Sequence, residues 1–175
     1  MSPADTVGAV AFALVALWPL LKGRRAMLLG QAVSALAFGV HYLLLRAHTG
    51  AAMTALSLVQ GLAVLPAGRS GWRTVVFAAT VPAMLTLVGV TWHGWSSLCA
   101  AVGLLLSTAG RWHGTALGLR LGFLGSGVAW ICHDVITGSP YGLAADVLCM
   151  ATLVIGAVRE SRHSRKLASA QRSPA

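Results

Sequence analysis

The sequence predicts an all-α membrane protein: seven transmembrane helices, arranged as two parallel three-helix repeats joined by an inverting helix. Three observations carry that prediction. The 175 residues are 57% hydrophobic and only 10% charged, with a mean hydropathy of +0.76. The apolar residues gather into seven runs of roughly membrane-crossing length. The basic residues then fall almost entirely on one side of the plane those runs define.

Composition excludes a soluble globule. Such a domain carries about 25% charged residues, because its surface has to be compatible with water. The chain has four carboxylates, Asp5, Asp134, Asp146 and Glu160, too few to cover that surface. The net charge of +9 raises a nucleic-acid partner, but its distribution argues against one. The basic residues sit in short clusters between apolar runs, as topology signals do, and end in a tail suited to anionic lipid. The lipid bilayer is the expected partner and nucleic acid is not. Cys99, Cys132 and Cys149 lack ligand spacing and read as small apolar packing residues.

A helix needs about 20 residues to cross the ~30 Å hydrocarbon layer. The apolar runs fall at 4–21, 26–45, 51–66, 74–91, 96–110, 115–136 and 143–158. None alternates with period two, so a barrel is excluded and helices are required. The first run has no basic stretch before it and no small-residue cleavage site after it, so it reads as a permanent helix. Residues 1–160 form a single domain, with repeat one at 4–66, the connector at 74–91 and repeat two at 96–158. A basic tail, 161–175, is expected to be cytoplasmic and unstructured. With the N-terminus outside, twelve of the thirteen Lys and Arg residues face one side and only Arg46 faces the other. The positive-inside rule makes the first side cytoplasmic. The topology this implies is multi-pass, with the N-terminus outside and the C-terminus in the cytoplasm.

The repeat rests on an offset of 92 residues. Gly30, Ser34, Ala37, His41, Gly50 and Ala52 then meet Gly122, Ser126, Ala129, His133, Gly142 and Ala144. The paired histidine is the specific part, since histidine is rare in such segments. Parallel repeats of this kind place substrate sites between the halves in several transporter folds.

Ionisable groups inside a membrane are costly and point to function. His41, His133, Asp134 and Asp146 lie near the outer ends of their helices and form the candidate substrate or proton site. The alternative is structural: each histidine satisfied by a neighbouring carbonyl, and Asp146 reaching His133 or Arg46 as an ion pair. Gln31 and Gln60 read as interhelical hydrogen-bonding amides. Four outer histidines with two carboxylates raise metal binding, but no histidine pair has helical i, i+4 spacing. Neither a metal nor a cofactor is expected. Gly110, Gly114, Gly118, Gly122 and Ser126 recur every four residues and let a helix approach closely, within the monomer or across a homodimer seam. Pro19 and Pro82 are expected to kink their helices. Leu124-Gly125-Ser126-Gly127 fails the G-x-S-G pattern of intramembrane serine proteases. There is also no H-E-x-x-H, phosphate loop or dinucleotide fingerprint, so no enzyme is expected.

The segment Phe38-Gly39-Val40-His41-Tyr42-Leu43-Leu44-Leu45, followed by Gly50-Ala51-Ala52, resembles the helix-two motif of the bacterial inner-membrane YgjV family. The stretch Ala129-Trp130-Ile131-Cys132-His133-Asp134, leading through Gly138 to Gly142, resembles that family's second histidine motif, with Asp134 where the family has Asn. Leu106-Ser107-Thr108 fits as well, and the resemblance spans roughly residues 7–160. The family's plan is similar to that of the SWEET sugar transporters and the nicotinamide-riboside carriers. By analogy this implies a small-solute facilitator. The competing expectations are a non-transporting scaffold that docks through its small-residue helix faces and, behind it, an outer-face metal-binding protein.

Overall fold

A computed structural model of the chain describes residues 2–66, 71–113 and 115–172; of Glu160 and residues 163–172 it describes the backbone. The described residues form seven α-helices and no strand: α1 (Pro3–Leu17), α2 (Arg24–Leu44), α3 (His48–Ala63), α4 (Gly71–Val90), α5 (Trp95–Trp112), α6 (Ala116–Thr137) and α7 (Pro140–Arg172).

Local chemistry sets the ends. Ser2 caps α1 by accepting from the Asp5 N–H, while the Asp5 carboxylate accepts from the Ser2 N–H, a reciprocal capping box. Thr115 caps α6 by accepting from the Gly118 N–H. Gly138, with φ +66°, ends α6 in the left-handed conformation that glycine adopts at little steric cost. The turn after α2 has the same shape but places Arg46 there, at φ +57°. In both turns the N–H of the next residue reaches back five positions: Ala47 to the Tyr42 carbonyl and Ser139 to the Asp134 carbonyl, each at 2.9 Å.

Five segments are long and apolar enough to cross a membrane: Pro3–Leu20, Arg24–Leu44, Gly71–Val90, Ala116–Thr137 and Pro140–Arg159. Their outward residues are aliphatic. Leu36, Leu85, Leu121 and Val135 are each more than half exposed, a surface suited to lipid rather than water. Helix α3, of 16 residues, falls short in length, and α5 is too polar. Both carry buried polar residues, Thr49, Thr54, Ser57 and Gln60 on α3 and Ser96, Ser97, Ser107 and Arg111 on α5. Thr49, Ser57, Gln60, Ser97 and Arg111 bond to neighbouring helices, and Thr54 and Ser107 bond back to carbonyls of their own helix, which is how polar groups are tolerated inside a bundle.

Helices α1, α2 and α3 pack in sequence, as do α5, α6 and α7. The two triplets meet along α1 against α7 and α3 against α5, with α2 and α6 facing each other between these seams. Helix α4 lies outside, on α3 and α5. The tightest approach is inside the chain: a Cβ on Gly122 would overlap the Gly110 Cα, and one on Gly110 would lie 2.9 Å from the Gly122 Cα. The four-residue ridge therefore does not run along one helix face. Gly110 belongs to α5 and Gly118, Gly122 and Ser126 to α6. Gly118 faces the turn residues His113 and Thr115, and Gly114 lies outside the described residues.

Two further expectations change. Proline 19 does not bend a continuous helix; α1 ends at Leu17 and a 3₁₀ turn, Trp18–Leu20, follows. Instead of an irregular tail from residue 161, α7 continues to Arg172. The residues from 161 to 172 contain neither Gly nor Pro, so no helix breaker acts there.

Candidate functional site

The polar interior has two groups, an outer one named for its place near the C-terminal ends of α2 and α6 and an inner one nearer their N-terminal ends. The outer group centres on Tyr42 of α2, which the sequence marks only as part of the Phe38–Leu45 segment. Its hydroxyl donates to Asp134 Oδ1 of α6 at 2.7 Å. Its ring lies 5.7 Å from that of His41, 5.3 Å from that of His133, and stacked at 5.9 Å on Trp130. The carboxyl of Asp146 of α7 neighbours that of Asp134. The expected partners of Asp146, His133 and Arg46, do not pair with it. Asp134 Oδ2 and Asp146 Oδ2 are both buried without a hydrogen-bond partner, and Asp134 is 1% exposed. Room for Asp134 comes from Gly142, whose missing Cβ would overlap the carboxylate.

The histidines are anchored in parallel ways. His41 Nδ1 lies 3.0 Å from the Ala4 carbonyl and His133 Nδ1 lies 2.9 Å from the Ser96 carbonyl. A carbonyl only accepts, so Nδ1 carries the proton in both rings. They differ at the other nitrogen. His41 Nε2 lies 3.1 Å from the Ser139 hydroxyl, which donates to it; His133 Nε2 has no partner. A Cβ on Gly50 would lie 2.6 Å from that nitrogen. His133 lines a recess of about 150 Å³ with Arg46, His48, Thr49, His93, Ser96 and Thr137 among others.

A separate cavity of about 90 Å³ opens between the triplets. Helix α2 contributes Gln31, Ser34, Ala35, Phe38 and Tyr42; α6 contributes Phe123, Ser126, Gly127 and Trp130. Val15, Trp18, Asp146, Cys149 and Met150 complete it from the α1 and α7 side. Four residues of α2 pair with four of α6 at a spacing of 92: Gln31 with Phe123, Ser34 with Ser126, Ala35 with Gly127, Phe38 with Trp130. So the four residues singled out by the sequence gather around Tyr42 without sharing one cavity. Asp146 lines this one, His133 lines the outer recess, and His41 and Asp134 line neither.

The inner group is built on Arg111, which the sequence assigns to a cytoplasmic loop. It is 0% exposed. Its guanidinium donates to Ser57 Oγ at 2.6 Å, Gln60 Oε1 at 2.8 Å, Gln31 Oε1 at 3.2 Å and Ser107 Oγ at 3.3 Å. It also lies 4.9 Å from the centre of the Phe123 ring, a cation–π distance. Gln60 extends the network to Thr80 of α4 and Thr108 of α5. The buried amides Gln31 and Gln60 are the signal that could have found Arg111, since each needs a donor inside the bundle. Among the described residues, no group of three or more His, Cys, Asp and Glu side chains is placed to hold a metal ion.

A family model described as Imp-YgjV, bacterial inner membrane protein, matches residues 3–164. The chain belongs to this family. It is an integral membrane protein of the bacterial inner membrane. Neither the curated proteins nor the solved structures contain a significant match. In this YgjV-family protein the matched span takes in α1 to α6, α7 as far as residue 164, and every residue of both polar groups.

Proposed function

We propose that this YgjV-family protein is a facilitator for a small solute, which passes between the triplets α1–α3 and α5–α7. The observation that carries the reading is the cavity walled by four residue pairs spaced 92 apart. Sites between helix repeats are a recurring plan in transporters. The triplets are read as a parallel repeat joined by α4. Support comes from the matching left-handed turn residues Arg46 and Gly138, and from the histidines that bond a carbonyl 37 positions earlier in both halves. The N-terminus is placed outside by the twelve-to-one charge split. The protein performs no covalent chemistry in this reading. The scaffold alternative loses its docking face, because Gly110 and Gly122 pack against each other inside the chain.

The test is liposome swelling with the purified protein in iso-osmotic neutral, cationic and anionic solutes. At least one solute should enter faster than into protein-free liposomes, and Ala35→Leu, which fills the cavity, should slow it. Swelling no faster than the blank for every solute contradicts transport. Reporter fusions after residue 25 should read as cytoplasmic and near residue 48 as exterior; the reverse contradicts the orientation.

A further inference from the structure

We infer that the cavity between the triplets is a binding site for a small organic ammonium ion, held by Asp146 against an aromatic wall. The inference rests on the transport reading for its biological use but stands on its own geometry.

The first observation is charge. Asp146 lines the cavity, and its carboxyl lies beside that of Asp134. Each has a buried Oδ2 without a hydrogen-bond partner, and among the described residues the donor to the pair is the Tyr42 hydroxyl. A buried carboxylate without a counter-charge is costly. A positive occupant of the cavity offsets that cost. The buried cations lie elsewhere: Arg111 donates to Ser57, Gln60, Gln31 and Ser107, Arg73 donates to the Arg111 and Trp112 carbonyls, and Arg120 packs against Gly156, ten residues along α7 from Asp146.

The second observation is the wall. Trp18, Phe38, Tyr42, Phe123 and Trp130 all line the same cavity. Aromatic faces around a carboxylate favour an alkylated ammonium over a small hydrated metal ion, because the π faces attract the cation while its methyl groups bury apolar area. The remaining wall is mainly apolar or small, through Val15, Ala35, Gly127 and Met150. Size sets the upper limit. A 150 Å³ apolar cavity accepts benzene, so about 90 Å³ accepts roughly three to five non-hydrogen atoms by the same scale. Tetramethylammonium is at that limit.

The test uses the full chain purified in detergent. Tetramethylammonium chloride is titrated against the intrinsic fluorescence of the protein, which includes Trp18 and Trp130, with sodium chloride held as the ionic-strength control. The neutral isostere 2-methylpropan-2-ol, with the same five non-hydrogen atoms around one tetrahedral centre, serves as the shape control. The expected result is a saturable response to tetramethylammonium and none to the alcohol. Asp146→Asn should weaken binding at least tenfold. If Asp146→Asn does not yield folded protein, Ala35→Leu, which fills the cavity and keeps every polar group, decides with the same expected loss. No saturable response, an equal response to the alcohol, or binding retained in the folded variants overturns the inference. Flux separates it from the transport reading. Binding of tetramethylammonium without flux of any solute overturns transport and leaves the site. Flux of a neutral solute with no ammonium binding does the reverse.

Discussion

The seam between α3 and α5 and the seam between α1 and α7 occupy corresponding places on either side of the α2–α6 pair, yet they are built from opposite materials. The first is filled. Arg111 reaches Ser57, Gln60 and Gln31, Thr49 meets Ser97 at 3.0 Å, and Met53, Ala100 and Leu104 close the space between. The second is left open, with Cys149 where the first has Ser57 and Pro19 where it has Arg111, each pair 92 residues apart. A cavity of about 90 Å³ remains there, and the unpaired Asp146 lines it. The two seams therefore differ in how they are filled. One locks the halves together, and the other keeps a chamber.

That division can be broken, and the largest effect is expected from Arg111→Met. It removes the donor shared by four side chains and leaves Gln31, Gln60 and Ser57 short of partners inside the bundle. The expected loss is about 3–5 kcal/mol, since hydrogen bonds to charged groups contribute about 1.5–3 kcal/mol each and stranded acceptors add to the cost. Thermal unfolding in detergent should show a fall of roughly 6–20 °C for a chain of this size. Next is Gly122→Ala, whose new methyl would meet the Gly110 backbone and cost about 1–3 kcal/mol through overpacking. Gly125→Ala is the control: its Cβ meets only Leu106 Cδ1, at 3.8 Å, and it should stay within about 0.5 kcal/mol. Tyr42→Phe strips the one hydroxyl that donates to Asp134 and should cost about 1–2 kcal/mol. The smallest effect separates the histidines. His41→Ala loses bonds at both ring nitrogens and His133→Ala at one, so His41→Ala should be the more destabilising by about 1 kcal/mol. Equal or reversed melting temperatures would contradict that ranking.

Much of the frame is legible in the sequence, because lipid imposes a simple rule: apolar runs of sufficient length become helices. The seven runs lie within a few residues of α1 to α6 and the first half of α7. The His41 and His133 motifs mark positions that take up matching bonds to Ala4 and Ser96. What is not legible is depth and pairing across helices. Arg111, as a charge next to Trp112 near a helix end, looks like an interfacial residue. Only the acceptors brought to it from α2 and α3 make it an interior one. Tyr42 likewise reads only as part of the Phe38–Leu45 segment until α6 supplies Asp134. The glycine period runs through a turn, so its regular spacing describes two helices rather than one face. For Asp146 the sequence offers a substrate or proton site or an ion pair with His133 or Arg46; its place beside Asp134 depends on α6–α7 packing that spacing does not encode.

The difference between the seams is tested most directly at Cys149 and its counterpart 92 residues earlier, Ser57. Two variants are compared in membranes, one retaining Cys149 alone and one carrying Ser57→Cys in a background without native cysteines. Each is treated with the cationic reagent 2-aminoethyl methanethiosulfonate. Cys149, lining the open chamber, should be modified, and tetramethylammonium should slow its reaction. The cysteine at 57, sealed behind Arg111, should remain unreacted. An unreactive Cys149 together with modification at 57 would contradict the account.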